Sequence, residues 1–324
     1  MSEIPQYANL NCSFFFFILH IVALGMLPRQ EILGKLIPFV EGRVGQQEVP
    51  LMTRLLALWS TSNAGMNQPQ LIEPILYAMF SNPAESTEMR ISAFNALLKI
   101  NPSMPVFHKI AAKTWSEQDI EVLRAVNTAF ITLMRTESVE SMAENVQLMT
   151  LAKKAKLTYP LIKKTPLGVA PFVSASLYTA DYLPQLESRY QLLASWIADQ
   201  KSFFTKNVWI QLDYFLSQYQ FNLISAGGRI EGLESIYNNL AQLITPLGPG
   251  ETVQEQHETI VKKIQENLHA EWRKIIQKLN IKPRENDKVS VAAYLRVLEA
   301  TPIFGNVFET TISSLKEKIN GIFR

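Results

Sequence analysis

The stretch between residues 82 and 133 constrains the fold most, because it holds three helical segments separated by very short turns. In the first segment, apolar side chains recur at three- and four-residue steps and so share one helix face: Met89, Ile91, Phe94, Leu97, Leu98 and Ile100. Ser86 or Thr87 can cap its first turn, beside the acidic Glu88. Asn101-Pro102 is predicted to end it, since proline disfavours a helical residue before it.

Two more helices follow directly. The second is predicted from Met104 to Thr114, with four apolar residues turned inward: Val106, Phe107, Ile110 and Ala111. The third is predicted to begin at Ser116, an N-cap with Asp119 three residues on, and to bury Ile120, Leu123, Val126, Phe130 and Leu133. No such helix can bury its apolar face alone, so the segment predicts a stacked helical array.

The same rhythm extends in both directions. Upstream, three helices are marked by Ile32 to Val40, Val49 to Trp59 and Leu71 to Phe80, with Gly42 in the place of a C′ glycine after the first. Downstream, a seventh helix is predicted from Val139 to Lys156. Pairs of helices with a period of roughly 40 residues are typical of two-layer solenoids. We therefore expect an α-helical superhelical domain over residues 28–158.

Length and charge exclude several classes of protein. At 324 residues and 47% hydrophobic content, the chain has ample material for a core. Its net charge of +2, with basic and acidic residues interspersed, gives no electrostatic footprint for nucleic acid. The single cysteine, Cys12, allows no internal disulfide.

The apolar N-terminal segment, residues 1–27, contains the run SFFFFILHIVALGML. The run falls short of the roughly 20 residues that span a bilayer. It also lacks a basic region and a clear cleavage site, so it makes a poor signal peptide and is better explained as a buried first helix. Asn11-Cys12-Ser13 fits a glycosylation acceptor, a triplet that is common by chance.

After Tyr159-Pro160 the period changes, and residues 159–324 are predicted to form a second region. A strand with one apolar face is indicated by Val208, Ile210, Leu212, Tyr214 and Leu216, alternating with polar residues. A returning strand carries Tyr219, Phe221 and Leu223, Leu192 to Ile197 is a possible third strand, and Gly227-Gly228 is expected to end the strands. Trp209 and Phe215 interrupt the polar face, which leaves two interpretations open: packing against the solenoid, or a sheet that faces lipid.

The C-terminal part is predicted to be largely helical. A long helix is expected over residues 252–279, followed by an apolar segment from Val289 to Leu298. An amphipathic helix is then expected from the spacing of Phe304, Val307, Phe308, Ile312, Leu315, Ile319 and Ile322.

The search for chemistry is mostly negative. The sequence has no G-x-S-x-G, P-loop, dinucleotide-binding glycine fingerprint or H-E-x-x-H, so no catalytic residue is assigned and an enzyme is not expected. Glu266 and His269 lie three apart on one predicted helix face but have no matching second pair, so no metal site is assigned. Arg229 and Glu231 are predicted to be a salt-bridged surface pair.

Four segments, in order, resemble the large lipid transfer proteins, the family of vitellogenins, apolipophorins and apolipoprotein B. The helix Glu88-Met89-Arg90-Ile91-Ser92-Ala93 ends in Asn101-Pro102 and is followed by Trp115, as in that family. Residues 22–42 resemble its "ALGNLG…LLPFLEG" repeat, with Met26 and Leu27 as departures. Residues 221–240 resemble its "E-G-G-R-x-E-G-L-E" run, with Ala226 as a departure, and residues 292–308 its "AYLRILGNELGF" segment. The agreement favours the apolipophorin and apolipoprotein B branch.

The resemblance implies an α+β chain in which a helical solenoid is followed by part of an open antiparallel amphipathic β-sheet and C-terminal helices. It implies a secreted, extracellular, non-enzymatic lipid transporter that needs no cofactor and carries phospholipid or neutral lipid. The implied lipid-binding residues are Val208, Ile210, Leu212, Tyr214, Leu216, Phe221 and Leu223. By the same resemblance, the chain is expected to be a fragment of a larger lipoprotein, with the parent's remaining domains and a lipoprotein receptor as partners.

Two other functions stay open at this point. A helical solenoid can present a concave surface to protein partners, which predicts an interaction scaffold. A peripheral membrane protein could use its C-terminal helix, where Lys316, Lys318 and Arg324 suit an interfacial position.

Overall fold

The computed structural model describes residues 21, 24, 30–44, 49–65, 68–136, 146–165, 174–183, 188–198, 205–216, 219–231, 288–298 and 303–311. These residues form seven α-helices followed by a six-stranded antiparallel sheet. The helices are α1 (Gln30–Val40), α2 (Leu51–Ala64), α3 (Pro69–Ser81), α4 (Thr87–Lys99), α5 (Met104–Ser116), α6 (Ile120–Thr136) and α7 (Val146–Thr158). A short 3₁₀ helix, Tyr159–Leu161, follows α7. The predicted α+β fold, a helical solenoid and an open antiparallel sheet, is confirmed.

The helix ends follow local capping chemistry. The Ser86 hydroxyl accepts from the Met89 N–H at 3.2 Å, so Ser86, and not Thr87, caps α4. Gly42, at φ +72°, follows α1, and the next N–H, of Arg43, donates to the Pro38 carbonyl at 2.8 Å. This is a Schellman ending, which requires the left-handed residue that glycine supplies.

The helices stack in two layers. Helices α2, α4 and α6 pack side by side and form the inner layer, and α1, α3, α5 and α7 lie outside them. The core between the layers is continuous and contains an aromatic cluster whose ring centroids are 5.6–6.4 Å apart, made by Phe80, Phe94, Phe107 and Phe130. The structure describes two residues of the apolar N-terminal run, Ile21 and Leu24, and both are helical. Ile21 is also buried in this core.

The strands occur in chain order across the sheet: β1 (Ala175–Leu183), β2 (Ser188–Ala198), β3 (Thr205–Leu216), β4 (Tyr219–Glu231), β5 (Lys288–Val297) and β6 (Ile303–Thr311). The edge strand β1 lies against α6. The N–H groups of Ser174, Ser176 and Tyr178 donate to three side chains spaced along α6, those of Glu121, Thr128 and Thr132. Side chains of α6 thus satisfy donors that an open sheet edge would leave unpaired.

Two predicted boundaries and one predicted element type are wrong. Ser116 is the last residue of α5 and not an N-cap, because the Asp119 carboxylate accepts from the Glu121 N–H at 2.9 Å and starts α6 instead. Gly227-Gly228 does not end the strands, since β4 runs through both glycines to Glu231. Residues 303–311, where Phe304, Val307 and Phe308 predicted a helix, form β6. A short apolar run fits both the helix period and the strand period, and its antiparallel pairing with β5 makes this segment a strand.

Several predictions fall outside the described residues. They concern Cys12 and its acceptor triplet, the helix over 252–279 with Glu266 and His269, and residues 312–324. None of the helices in the described part of the chain combines the length and apolar composition needed to cross a membrane. Among the described residues, no three His, Cys, Asp or Glu side chains come together as possible metal ligands.

Candidate functional site

The sheet has two chemically different faces, because successive residues of a strand point to opposite sides. The side that carries Asn207, Trp209, Gln211 and Asp213 of β3, with their neighbours in register, is named the polar face. The opposite side, which carries Val208, Ile210, Leu212 and Tyr214 with their neighbours in register, is named the apolar face. The inner helices cover the polar face, so its polar side chains are buried and each needs a partner.

Two tryptophans join the polar face to the helices. Trp209 stacks on Trp59 of α2, with ring centroids 5.3 Å apart and planes 9° from parallel. Its cross-strand partner is Gly227, which has no side chain to compete with the indole on that side. Of the two interpretations that Trp209 left open, packing against the solenoid therefore applies to this face.

A buried ion cluster makes the second junction. Arg229 of β4 donates two hydrogen bonds to the Glu88 carboxylate of α4, at 2.9 and 3.1 Å, and two to Glu231, at 2.7 and 2.9 Å. Asn207 donates to Glu88 at 3.3 Å. Burial alone would lower the pKa of Arg229, but its hydrogen bonds to Glu231 and Glu88 outweigh burial and raise it. Arg229 is thus more than a surface pair, because it joins two motifs of the family resemblance across the helix–sheet interface.

A chain of hydrogen bonds makes the third junction. The Lys99 ammonium of α4 donates to Gln211 at 2.8 Å, Gln211 donates to Asp213 at 2.7 Å, and Asn222 donates to Asp213 at 2.8 Å. Burial lowers the pKa of Lys99 to about 8; Asp213 opposes this shift and the Arg296 charge adds to it. The Tyr178 hydroxyl belongs to the same buried region. Burial, and after it the Asp213 charge, raises the pKa of Tyr178.

The remaining charged residue of the α4 motif holds the solenoid together. Arg90 pairs with Glu117 and also donates to the Phe80 carbonyl at 3.0 Å. Burial would raise the pKa of Glu117, but Arg90 and the Asp119 N–H lower it. Glu88 and Arg90, two residues apart, therefore bind different elements, one the sheet and the other the turn between α5 and α6.

The apolar face has no described helix over its central strands. Its exposed side chains come from three adjacent strands, β3, β4 and β5: Val208, Ile210, Phe221, Ile224, Ile230, Leu295 and Val297. The register brings Ile224 opposite both Leu212 and Val297, and Ala226 opposite both Ile210 and Leu295. These side chains form one continuous exposed hydrophobic surface, which a soluble monomer rarely carries.

The structure places most residues of the predicted lipid-binding set on this surface. Val208 and Ile210 are exposed there, and Leu212 and Tyr214 are half-buried. Phe221 pairs with Tyr214 on the same face. Leu223 lies at a β-bulge, where the register shifts, and its carbonyl accepts from the Leu298 N–H at 2.8 Å. Leu216 lies at the end of β3, opposite Tyr219.

Sequence reasoning missed the part of the apolar face beyond β3 and the first residues of β4. Ile224 was missed because the bulge at Leu223 shifts the alternation by one residue, and Ile230 because the two glycines were expected to end β4. Leu295 and Val297 follow the alternation of β5, a period-two signal that was present but not used.

Comparison with known proteins identifies the architecture. The family model described as vitellogenin TPR domain matches residues 17–131, and the one described as vitellinogen, open beta-sheet matches residues 173–324. The chain belongs to the vitellogenin-type large lipid transfer proteins. Among curated relatives, the vitellogenin of Anthonomus grandis is 23% identical over 278 residues, 85% of this chain and 14% of its own length. Vitellogenin-2 of Periplaneta americana is 22% identical over 220 residues, which are 68% of this chain and 11% of the relative's own length.

A solved structure shows the same fold. A lipovitellin chain, from work on lipid–protein interactions in lipovitellin, superposes on 94% of this vitellogenin-type chain with a TM-score of 0.63 at 15% identity. The matched region is 27% of that chain. Our chain thus spans a small part of each of these three proteins. The two curated relatives are vitellogenins, which lends no support to the expected apolipophorin and apolipoprotein B branch.

Proposed function

We propose that this chain is a non-enzymatic lipid-binding module of a lipid-transport lipoprotein, and that lipid lies against the apolar face of its sheet. One observation carries the proposal: in the part of the chain that the structure describes, helices bury the polar face of the sheet while apolar side chains on its other face are exposed. Family membership supports the lipid-transport class, and the geometry supports the surface at which lipid binds.

The chemistry of the apolar face favours hydrocarbon over a polar ligand. Its exposed side chains across β3, β4 and β5 are aliphatic or aromatic, and they offer no charge or hydrogen bond to a ligand. Removing apolar surface from water is worth about 25 cal/mol per Å², so acyl chains laid on this face bind without directional contacts. Phospholipid or neutral lipid fits this surface, whereas a small polar metabolite does not.

We further propose, from family membership, that the parent protein is secreted and works in the extracellular fluid. The remaining domains of the parent lipoprotein are then the natural neighbours of the sheet, and a lipoprotein receptor is a partner of the whole particle. The scaffold alternative is less favoured, because the sheet covers the inner helices α2, α4 and α6 that would otherwise line a solenoid's concave surface.

The test replaces apolar surface by charge on the proposed lipid face. The full chain would be mixed with fluorescent triacylglycerol in a phosphatidylcholine emulsion, and lipid retained per chain measured after gel filtration. Ile210→Glu with Ile224→Glu is expected to lower retention at least fivefold. The matched control is Leu71→Glu on α3, whose side chain is 41% exposed against 38% for Ile210. Equal retention by all three proteins would contradict the proposal.

A further inference from the structure

One buried arginine of the polar face has no hydrogen-bond acceptor in the part of the chain that the structure describes. Arg296 lies on β5, where its cross-strand neighbour is Ser225, and Ser225 in turn pairs with Gln211 of β3. Arg296 is 7% exposed, and its Nε is buried without a partner. Its other guanidinium nitrogens make no hydrogen bond or ion pair with any described residue. The polar face thus contains a buried cation for which the described residues supply no anion.

Two other arginines of this chain show how such a group is usually accommodated. Arg229 binds the carboxylates of Glu88 and Glu231, and Arg90 binds the carboxylate of Glu117. A buried charge is unfavourable unless an opposite charge or a hydrogen-bond acceptor replaces the water that it loses. Arginine stays protonated at any ordinary pH, so it cannot avoid this cost by releasing a proton, as a lysine can. The unmet requirement of Arg296 therefore points to a bound anion.

A second positive charge acts on the same region. The Lys99 ammonium donates to Gln211, which lies in the cross-strand row of Arg296, two strands away. The pKa of Lys99 is lowered to about 8, first by burial, against the opposing effect of Asp213, and then by the Arg296 charge. The Asp213 carboxylate accepts from Gln211 and Asn222, at 2.7 and 2.8 Å, and not from Arg296. The field of both cations therefore favours an anion beside Arg296.

We propose that Arg296 binds a phosphate group on the polar face of the sheet, with Lys99 as a second positive charge nearby. The planar fork of a guanidinium donates two parallel hydrogen bonds to two oxygens of such a group. A phosphate monoester carries a charge of about −1.5 to −2 at pH 7, which suits two cations better than the single charge of a carboxylate. The 7% of Arg296 that stays exposed means that the residue is not sealed from solvent. This site lies opposite the apolar face, so it goes beyond the function proposed for that face and does not depend on it.

The experiment is urea unfolding of the full chain at pH 7 in sodium phosphate and in sodium chloride of equal ionic strength. A ligand that binds only the folded chain stabilises it, and about 50 mM phosphate is expected to lower the unfolding equilibrium constant about tenfold, which corresponds to a Kd of about 5 mM. Phosphate also stabilises proteins in general, because it is excluded from their surfaces. The decisive comparison is therefore with Arg296→Met, in which the phosphate effect is expected to fall to about twofold or less.

Two further measurements separate a ligand site from a structural arginine. In chloride, Arg296→Met is expected to be at least as stable as the unaltered chain, because it removes a buried charge that has no partner. The matched control Arg43→Met removes the same charge from a side chain that is 73% exposed, and it should keep the full phosphate effect. Equal phosphate effects in the unaltered chain and Arg296→Met would overturn the site. A loss of stability in chloride as large as that of Arg229→Met would also overturn it, since Arg296 would then have a protein partner.

A soluble lipid distinguishes the two sources of a phosphate group. Dihexanoylphosphatidic acid, used below its micelle concentration, replaces inorganic phosphate in the same experiment. Stabilisation by both probes, lost in Arg296→Met, supports a site for free phosphate, and stabilisation by the lipid alone supports a site for the headgroup of an anionic lipid. Absence of an effect with either probe would overturn the proposal. The variant Ile210→Glu with Ile224→Glu should keep the phosphate effect while it loses lipid retention; loss of both would place the anion on the apolar face instead.

Discussion

The polar and apolar faces are built by the same strands, yet each stands in the environment that usually suits the other. Asn207, Gln211 and Asp213 are buried against helices, whereas Val208 and Ile210, between them in the sequence, are exposed. An antiparallel sheet normally buries its apolar face and solvates its polar one. Here the covered face is held by paired charges, hydrogen bonds, one tryptophan stack and the buried side chains of Leu193 and Ile197, and the apolar face stays exposed among the described residues.

The comparison also shows where the fold is vulnerable. A buried apolar contact degrades gradually when one side chain shrinks, but a buried charge pair fails when one partner is removed. The polar face should therefore respond strongly to single substitutions, and the apolar face should tolerate them while no lipid is present. Three predictions break or sharpen this contrast.

The largest effect is expected at Arg229. Arg229→Met would leave the Glu88 carboxylate, 8% exposed, without its main partner. Removing one partner of a buried pair costs about 3–5 kcal/mol, and urea unfolding would measure it. Glu231→Gln is the control, because this carboxylate is 53% exposed and its pairing is screened by water, so its loss costs about 1 kcal/mol at most. Adding Glu88→Gln to Arg229→Met should recover much of the loss; no recovery would mean that Glu88 is not the cause.

The second effect is a pH dependence set by Lys99. Burial lowers its pKa from 10.5 to about 8 in the folded chain, so folding penalises the charged form. Below about pH 8 this penalty is present in full. Between pH 8 and 10.5 the folded chain releases a proton that the unfolded chain keeps, so stability rises with pH, by about 3 kcal/mol in the limit. Tyr178, whose pKa is raised, begins to oppose this rise above pH 10, where the unfolded chain loses the tyrosine proton first.

Urea unfolding at pH 7, 8, 9 and 10 measures the predicted rise. Lys99→Met removes the titrating group and should flatten the profile over this range. If the variant rises as steeply as the unaltered chain, another group is responsible and the chain of hydrogen bonds from Lys99 to Asp213 is not the pH-sensitive element.

How much of this could be predicted from the sequence follows from the range of each interaction. Helix faces and ends were predictable because Ser86, Gly42 and the core positions of α4 act within a few residues. Glu88 and Arg229 lie 141 residues apart, so their pairing has no local signal. Four residues of the apolar face were predictable from the alternation of β3, whereas its extension over β4 and β5 depends on a register between distant segments. The prediction of a helix at Phe304 was wrong because only the pairing with β5 distinguishes a helix period from a strand period in so short a segment.

The smallest effect is expected on the apolar face and gives the sharpest test of the contrast. Ile224→Thr keeps a β-branched residue in the strand and removes apolar surface that water already reaches, so lipid-free stability should change by no more than about 0.5 kcal/mol. The matched substitution Ile197→Thr lies on the polar face, where Ile197 is buried opposite Asn207, and should cost about 2 kcal/mol or more, because it places a hydroxyl in a packed site. If Ile224→Thr destabilises the lipid-free chain as much as Ile197→Thr, protein already covers the apolar face, and the surface assigned to lipid is part of an ordinary core.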